Sequence, residues 1–220
     1  VRLTVTQTAP LNCHVMLAQR GATLVELLVA SLLSLLVIGV IGSMFISSQN
    51  SALSLSRQLM LSQNLSSAMA QLKEDAERAG YNGQIAYSLK LSAASDILTV
   101  SSGALGFVYR QPEPTSDPLF HVVYRLEALS STHNSLKICE KSSAQLLTMV
   151  SAAASGSGGY CYALFDPNLI NITSFSVTSG SLVGENAKRQ SVELSLNAAL
   201  TEWPQVTQQL SLQIHSDNWQ

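Results

Sequence analysis

The sequence predicts an α+β protein: a long N-terminal α-helix, transmembrane in its first half and amphipathic in its second, packed on an antiparallel β-sheet. Three observations predict it. Between Glu26 and Arg57 the chain carries no charged residue, and residues 27–46 read LLVASLLSLLVIGVIGSMFI. Leu61, Leu65, Ala68, Leu72, Ala76 and Ala79 then recur three and four apart, one apolar stripe of a helix. After Asn82-Gly83 the pattern shifts to short runs in which apolar and polar residues alternate, as half-buried antiparallel strands require. A striped helix and a one-faced sheet bury each other.

The first half of the helix has the dimensions of a membrane span. Its apolar run, at about 1.5 Å per residue, covers roughly 30 Å, the hydrocarbon thickness. Ser31, Ser34 and Ser43 can hydrogen-bond back along a helix, and Gly39 and Gly42 allow another helix close approach or a local bend. A secretory signal places its small-residue cleavage site after the apolar core. Here the punctuation, Arg20-Gly21, stands before it. Arg20 keeps the preceding end cytoplasmic and directs the rest outward. Leu11-Asn12-Cys13 has no apolar run before it, so it does not read as a lipoprotein signal. Glu26 is a lone carboxylate at the head of the run. Such a charge costs several kcal/mol at membrane depth unless it protonates or finds a partner, so it reads as functional.

Composition narrows the class. The 220 residues suffice for one membrane element and one modest globular domain. Charged residues make up 12%, against roughly 25% for ordinary soluble domains. The deficit comes from the uncharged helix and from a Ser/Thr/Gln/Asn-rich remainder. Net charge is −2 with no basic run, which removes the electrostatic footprint of direct nucleic-acid binding.

The stretch Gly21-Ala22-Thr23-Leu24-Val25-Glu26-Leu27-Leu28-Val29-Ala30 resembles the class III signal of type IV pilins and pseudopilins. That resemblance implies cleavage by prepilin peptidase between Gly21 and Ala22, N-methylation of Ala22, and Glu26 as the assembly glutamate. In that role Glu26 pairs with the Ala22 ammonium of a neighbouring subunit and fixes axial register. The chain has Ala22 where the family more often has phenylalanine. It also has no proline in its apolar helix, which points to a minor rather than a major pilin. The implied organisation is a cleaved leader at 1–21, a transmembrane and assembly helix at 22–50, the amphipathic half at 51–80 and a periplasmic β-rich domain at 81–220. Residues 1–15 read as an extension upstream of Met16, which opens a short leader of the usual kind.

The amphipathic half runs without Pro or Gly to Ala79, where Gly80 stands as a left-handed cap. Predicted strands are 97–100, 106–110, 120–126, 136–139, 146–150, 160–165, 172–177, 191–196 and 209–214, with loops at 112–118, 155–159 and 179–188. The helix end Leu72-Lys73-Glu74-Asp75-Ala76-Glu77-Arg78-Ala79-Gly80-Tyr81 resembles the PilW and prepilin-peptidase-dependent protein B group of minor pilins. Taken by itself it is a charged helix face, with Asp75 and Glu77 solvated and Arg78 complementing the helix dipole. The pairing of 171–177 with 190–200 is similar to the terminal hairpin of PilW and of J-type pseudopilins.

Of the three cysteines, Cys13 lies before Gly21. Cleavage there leaves Cys139 and Cys161, which suits a disulfide in an oxidising compartment; two free buried thiols are the alternative. His14, His121, His133 and His215 lack metal-ligand spacing, and His121 reads as a structural strand residue. Gly156-Ser157-Gly158-Gly159 lacks the lysine of a phosphate loop and reads as a flexible loop. Asp117, Asp166 and Glu185 sit in predicted turns, where a calcium site built from separate loops would draw on them. Tyr160-Cys161-Tyr162 belongs to the sheet. No catalytic constellation is present, so neither enzymatic activity nor a cofactor is expected. Two assembly roles compete: a minor pilin that initiates or tips a type IV pilus, and a minor, J-like pseudopilin of a type II secretion system. A membrane-anchored periplasmic enzyme or solute-binding module is the reading from another class. The expected partners are prepilin peptidase, other minor and major pilins and the inner-membrane assembly platform. The expected location is the bacterial inner membrane, with the C-terminal domain in the periplasm, and then the fibre.

Overall fold

A computed structural model describes residues 23–83, 87–111, 118–156, 158–183 and 188–216. The chain divides into two compact units, Val1–Ser51 and Ala52–Gln220. Helix α1, Leu24–Glu77, passes through the junction.

In the first unit every described residue is helical or caps the helix, and every one is exposed. Ser31 Oγ donates to Leu28 O (2.9 Å), Ser34 Oγ to Ala30 O (2.7 Å) and Ser43 Oγ to Val40 O (2.8 Å). These bonds satisfy the hydroxyls within the helix, so they do not spoil an apolar surface. Gly39 and Gly42 have open space where a Cβ would stand.

The second unit holds the core. Five strands form one antiparallel sheet in chain order: β1 Thr99–Ser101, β2 Ala104–Arg110, β3 Leu119–Ala128, β4 Asn134–Ser143 and β5 Gly159–Ala163. Three longer strands form a second antiparallel sheet: β6 Ile170–Val183, β7 Lys188–Leu200 and β8 Thr207–His215. The predicted stripe of α1 is buried in full, from Leu61 and Leu65 through Ala68, Leu72 and Ala76 to Ala79 just past the helix. It shares one continuous core with Leu105, Phe107, Val122, Tyr124, Leu136 and Ile138 of the first sheet and Val192, Leu194, Leu196 and Ile214 of the second. Each fully buried large apolar side chain contributes about 1.5–3 kcal/mol.

Polar groups join the parts. Tyr124, fully buried, donates from its hydroxyl to Asp75 Oδ2 at 2.6 Å and so ties the end of α1 to the centre of β3. Burial, and then the Asp75 carboxylate, push the Tyr124 phenol well above its usual range, so it stays a donor. The buried Gln190 amide answers both backbone groups of Leu98: it accepts from Leu98 N (2.9 Å) and donates to Leu98 O (2.6 Å). Arg57 lies 3.8 Å from the centroid of the Trp203 ring, clamping α1 to the turn between β7 and β8.

Gly80 ends the helix as expected, with φ at +79°. Its amide donates to Val108 O, and a Cβ here would meet Ile97 Cγ2 at 2.8 Å, so no other residue suits the position. The helix itself stops at Glu77, slightly earlier than Ala79. Arg78 N and Ala79 N instead bond three residues back to Asp75 O and Ala76 O.

Two sequence-based assignments are corrected. Residues 146–150 do not form a strand: α2, Met149–Ala153, begins there behind Thr148, whose side chain accepts from Ser151 N. A capping hydroxyl followed by alanines favours a helical turn, and Leu147 N is already spent on His121 Nε2 (3.1 Å) rather than on a ladder. The loop at 179–188 is also shorter than predicted. The β6–β7 ladder continues through Ser179↔Val192 to Val183↔Lys188, because main-chain pairing needs no apolar alternation. The strand predicted at 160–165 ends at Ala163, and that at 97–100 begins at Thr99, although Ile97, Leu98 and Phe165 are all buried. Most of the loop at 112–118, all but Pro118, lies outside the described residues.

Cys139 and Cys161 face each other in the β4–β5 register and form a disulfide across 22 residues. A loop of that size is worth about 3 kcal/mol in the chain-entropy model. The bond lies under α2 and pins β5, a short edge strand.

His121 is buried without exposure. Because Leu147 N donates to Nε2, Nδ1 carries the proton and donates to Lys141 O at 3.1 Å. Burial holds the imidazole below its ordinary value of 6.5, and the bonds to Lys141 and Leu119 offset this only in part. A group whose folded-state pKa is depressed is stabilising above its unfolded value and loses that contribution as pH falls. The melting temperature is therefore expected to hold steady above pH 6.5 and fall below it. In His121→Gln the fall should flatten. An unchanged slope in that variant, measured by thermal melts from pH 8 to about 5, would show that His121 does not carry the effect.

Candidate functional site at the head of the helix

Thr23 and Glu26 begin α1 as a reciprocal pair. Thr23 N donates to Glu26 Oε2 at 3.0 Å, and Thr23 Oγ1 reaches the same oxygen at 3.3 Å. Glu26 N in turn donates to Thr23 Oγ1 at 3.3 Å. This is a capping box: two amides that a helix start leaves without partners are satisfied by each other's side chains. The Glu26 carboxylate also sits in the first turn, where the positive end of the helix dipole favours a negative charge. Reading Glu26 only as an unpartnered acid misses this. The signal was in the sequence, since a threonine three residues before a glutamate and ahead of an apolar run is a helix-start signature.

Gly21 and Ala22, the implied cleavage and methylation positions, lie outside the described residues. Immediately after Glu26 comes the apolar surface. Leu27, Leu28, Leu32, Leu35, Leu36 and Ile38 are each more than half exposed. The helix is long and apolar enough to cross a membrane, with mean hydropathy 2.7 over its best window and none of that window buried. The site therefore combines a locally satisfied carboxylate with an exposed helical surface long and apolar enough to cross a membrane.

Other singled-out residues serve structure. Lys73 and Glu77 form an exposed pair at 3.8 Å, as a solvated helix face would. Asp75 does not belong to that face: it is half-buried, takes the Tyr124 hydroxyl, and lies 3.6 Å from Arg78. Asp166 accepts from Asn168 N (2.9 Å) in the turn before β6, while Asp117 and Glu185 lie outside the described residues. His133 bonds to Thr132 Oγ1 at 2.8 Å within its own turn.

The long apolar-then-amphipathic helix seated on antiparallel sheets defines a pilin-like protein. A family model described as prepilin peptidase-dependent protein B (PpdB) matches residues 54–216, and the chain belongs to that family. The match begins beyond the apolar run, so it is independent of the motif around Gly21 and Glu26. No curated protein and no solved structure matches the chain.

If the capping box holds the start of the helix, Thr23→Ala should cost about 1 kcal/mol locally. Amide hydrogen exchange of the first helical turn, in detergent micelles, should then quicken by roughly fivefold. Unchanged exchange there would mean that the pair contributes nothing.

Proposed function

We propose that this chain is a minor pilin of a type IV pilus, which helps initiate assembly or forms part of the tip complex by packing its helix against those of other pilins. One observation carries the reading: a helix whose apolar first half is wholly exposed and whose head bears a single carboxylate, in a chain that belongs to a prepilin peptidase-dependent family. In this reading prepilin peptidase cuts after Gly21 and methylates Ala22, giving an ammonium just ahead of the capping box. On entry into the fibre, Glu26 exchanges its local bonds for the Ala22 ammonium of a neighbour, which offsets the cost of burying a carboxylate and sets axial register. The disulfide-pinned domain stays in the periplasm until export, and the chain works as a structural subunit rather than as an enzyme. The second reading, a minor J-like pseudopilin of a type II secretion system, shares every one of these steps and draws on the β6–β7 hairpin.

Complementing a deletion strain tests the proposal. The wild-type gene should restore surface pili, with exoprotein secretion intact throughout. Gly21→Ala should accumulate a slower-migrating precursor, and Glu26→Ala should be cleaved but stay out of sheared fibres. Loss of secretion with normal pili in the deletion strain selects the pseudopilin. Normal incorporation of Glu26→Ala refutes the pairing.

A further inference from the structure

The face of the first sheet that packs α1 continues past the end of the helix. Strand register orders its residues in rows. Leu105, Tyr124, Ile138 and Tyr162 form one; Phe107, Val122, Glu140 and Tyr160 the next; Tyr109, Phe120 and Ser142 the last. Helix α1 reaches the first row, where Asp75 takes the Tyr124 hydroxyl. Beyond it lies an open cavity of about 270 Å³, lined by Tyr109, Phe120, Val122, Glu140 and Tyr160 among others.

Its walls are aromatic. Tyr109 and Phe120 stack with centroids 5.9 Å apart and planes at 16°. Tyr160 and Tyr162 stack at 5.7 Å and 24°, and Tyr160 is 61% exposed on a strand held by the disulfide behind it. Between the two ring pairs stands one half-buried carboxylate, Glu140. Among the described residues no cation pairs with it. Lys141 also borders the cavity, but its ammonium reaches Ser151 O, and Arg78 is engaged by Asp75 and by the Tyr109 phenol. Burial and then Glu140 push the Tyr162 phenol up to about 12, and Glu140 raises the Tyr160 phenol as well, so both rings stay neutral beside the charge.

We propose that this groove receives a cationic side chain, a guanidinium or an ammonium, carried on another polypeptide. A carboxylate without a counter-ion among the described residues, between ring faces whose quadrupoles are negative, attracts a cation by both means. A planar guanidinium suits it best, because it can stack and bond at once. A neutral sugar would leave the charge uncompensated, and an anion is repelled. The inference does not depend on which fibre the chain enters.

The test uses the full chain in detergent micelles and ligand-observed saturation-transfer NMR, with N-acetyl-arginine amide, N-acetyl-lysine amide and a panel of methyl glycosides as probes. The arginine probe should bind, the lysine probe more weakly. Glu140→Gln and Tyr160→Ala should each weaken the arginine probe by roughly tenfold, while Tyr160→Phe retains it. Tyr160 is exposed, so its variants report on the groove even where Glu140→Gln disturbs folding. Binding of a glycoside that survives Glu140→Gln would make the groove a carbohydrate site and overturn the proposal. So would arginine binding indifferent to both substitutions, or no binding of any probe.

Discussion

Along α1 the residues from Thr23 to Ser51 are exposed throughout, whereas Leu61 and Leu65 have no exposure at all. Large apolar side chains stand open to the surroundings at Leu24, Val25, Leu27 and so on to Ile46. Covering each is worth about 1.5–3 kcal/mol, so a handful of them already matches the 5–15 kcal/mol that keeps a typical domain folded. A surface of that size has the length and composition to cross a membrane, and the rest of the structure is compatible with that. The capping box holds the helix start without an external partner, the serines turn their hydroxyls inward, and the second half of the same helix is anchored in a core that needs nothing from outside.

That anchoring core is built from the same helix by a different rule. The stripe from Leu61 to Ala76 meets both sheets, and the polar ties are few and specific: Asp75 with Tyr124, Gln190 with Leu98, Arg57 over Trp203. Each joins elements distant in sequence. Replacing Tyr124 takes from half-buried Asp75 its hydroxyl donor, and replacing Gln190 leaves two backbone groups of Leu98 unanswered; both are costlier than an ordinary surface change. The disulfide, by contrast, acts at the periphery, where β5 would otherwise be a short edge strand held by one neighbour.

The features legible in the sequence were those with periodicity. The apolar run, the three-and-four stripe and the alternation of Val192, Leu194 and Leu196 each follow from a geometric repeat, and the structure places the stripe and these strand residues in the core. Cleavage after Gly21 would leave Cys139 and Cys161, as a disulfide or as two free thiols, and the structure bonds them. What stayed hidden depends on contacts between distant residues. No pattern near Asp75 announces Tyr124, and none near Gln190 announces Leu98. Residues 146–150 misled because a short apolar run serves strand or helix equally, and Thr148 and His121 decide between them. The capping box is the exception, since it was local and readable. At the site itself the sequence named Glu26 and its apolar helix, but the aromatic groove around Glu140 appears only when four strands are laid side by side.

The central claim of the proposed function is that the first half of α1 is a surface kept for other subunits. Single cysteines at Leu32 and Leu36, in a chain whose two other cysteines beyond Gly21 are already bonded, would report on it directly. Mild oxidation of sheared fibres, carried out alongside pilins bearing matched cysteines, should yield disulfide-linked heterodimers from these positions. A cysteine on the exposed turn at Ser130 should yield none. If the helix cysteines remain uncrosslinked in fibres, and the chain is recovered only from the membrane, the helix is a permanent anchor and the account is wrong.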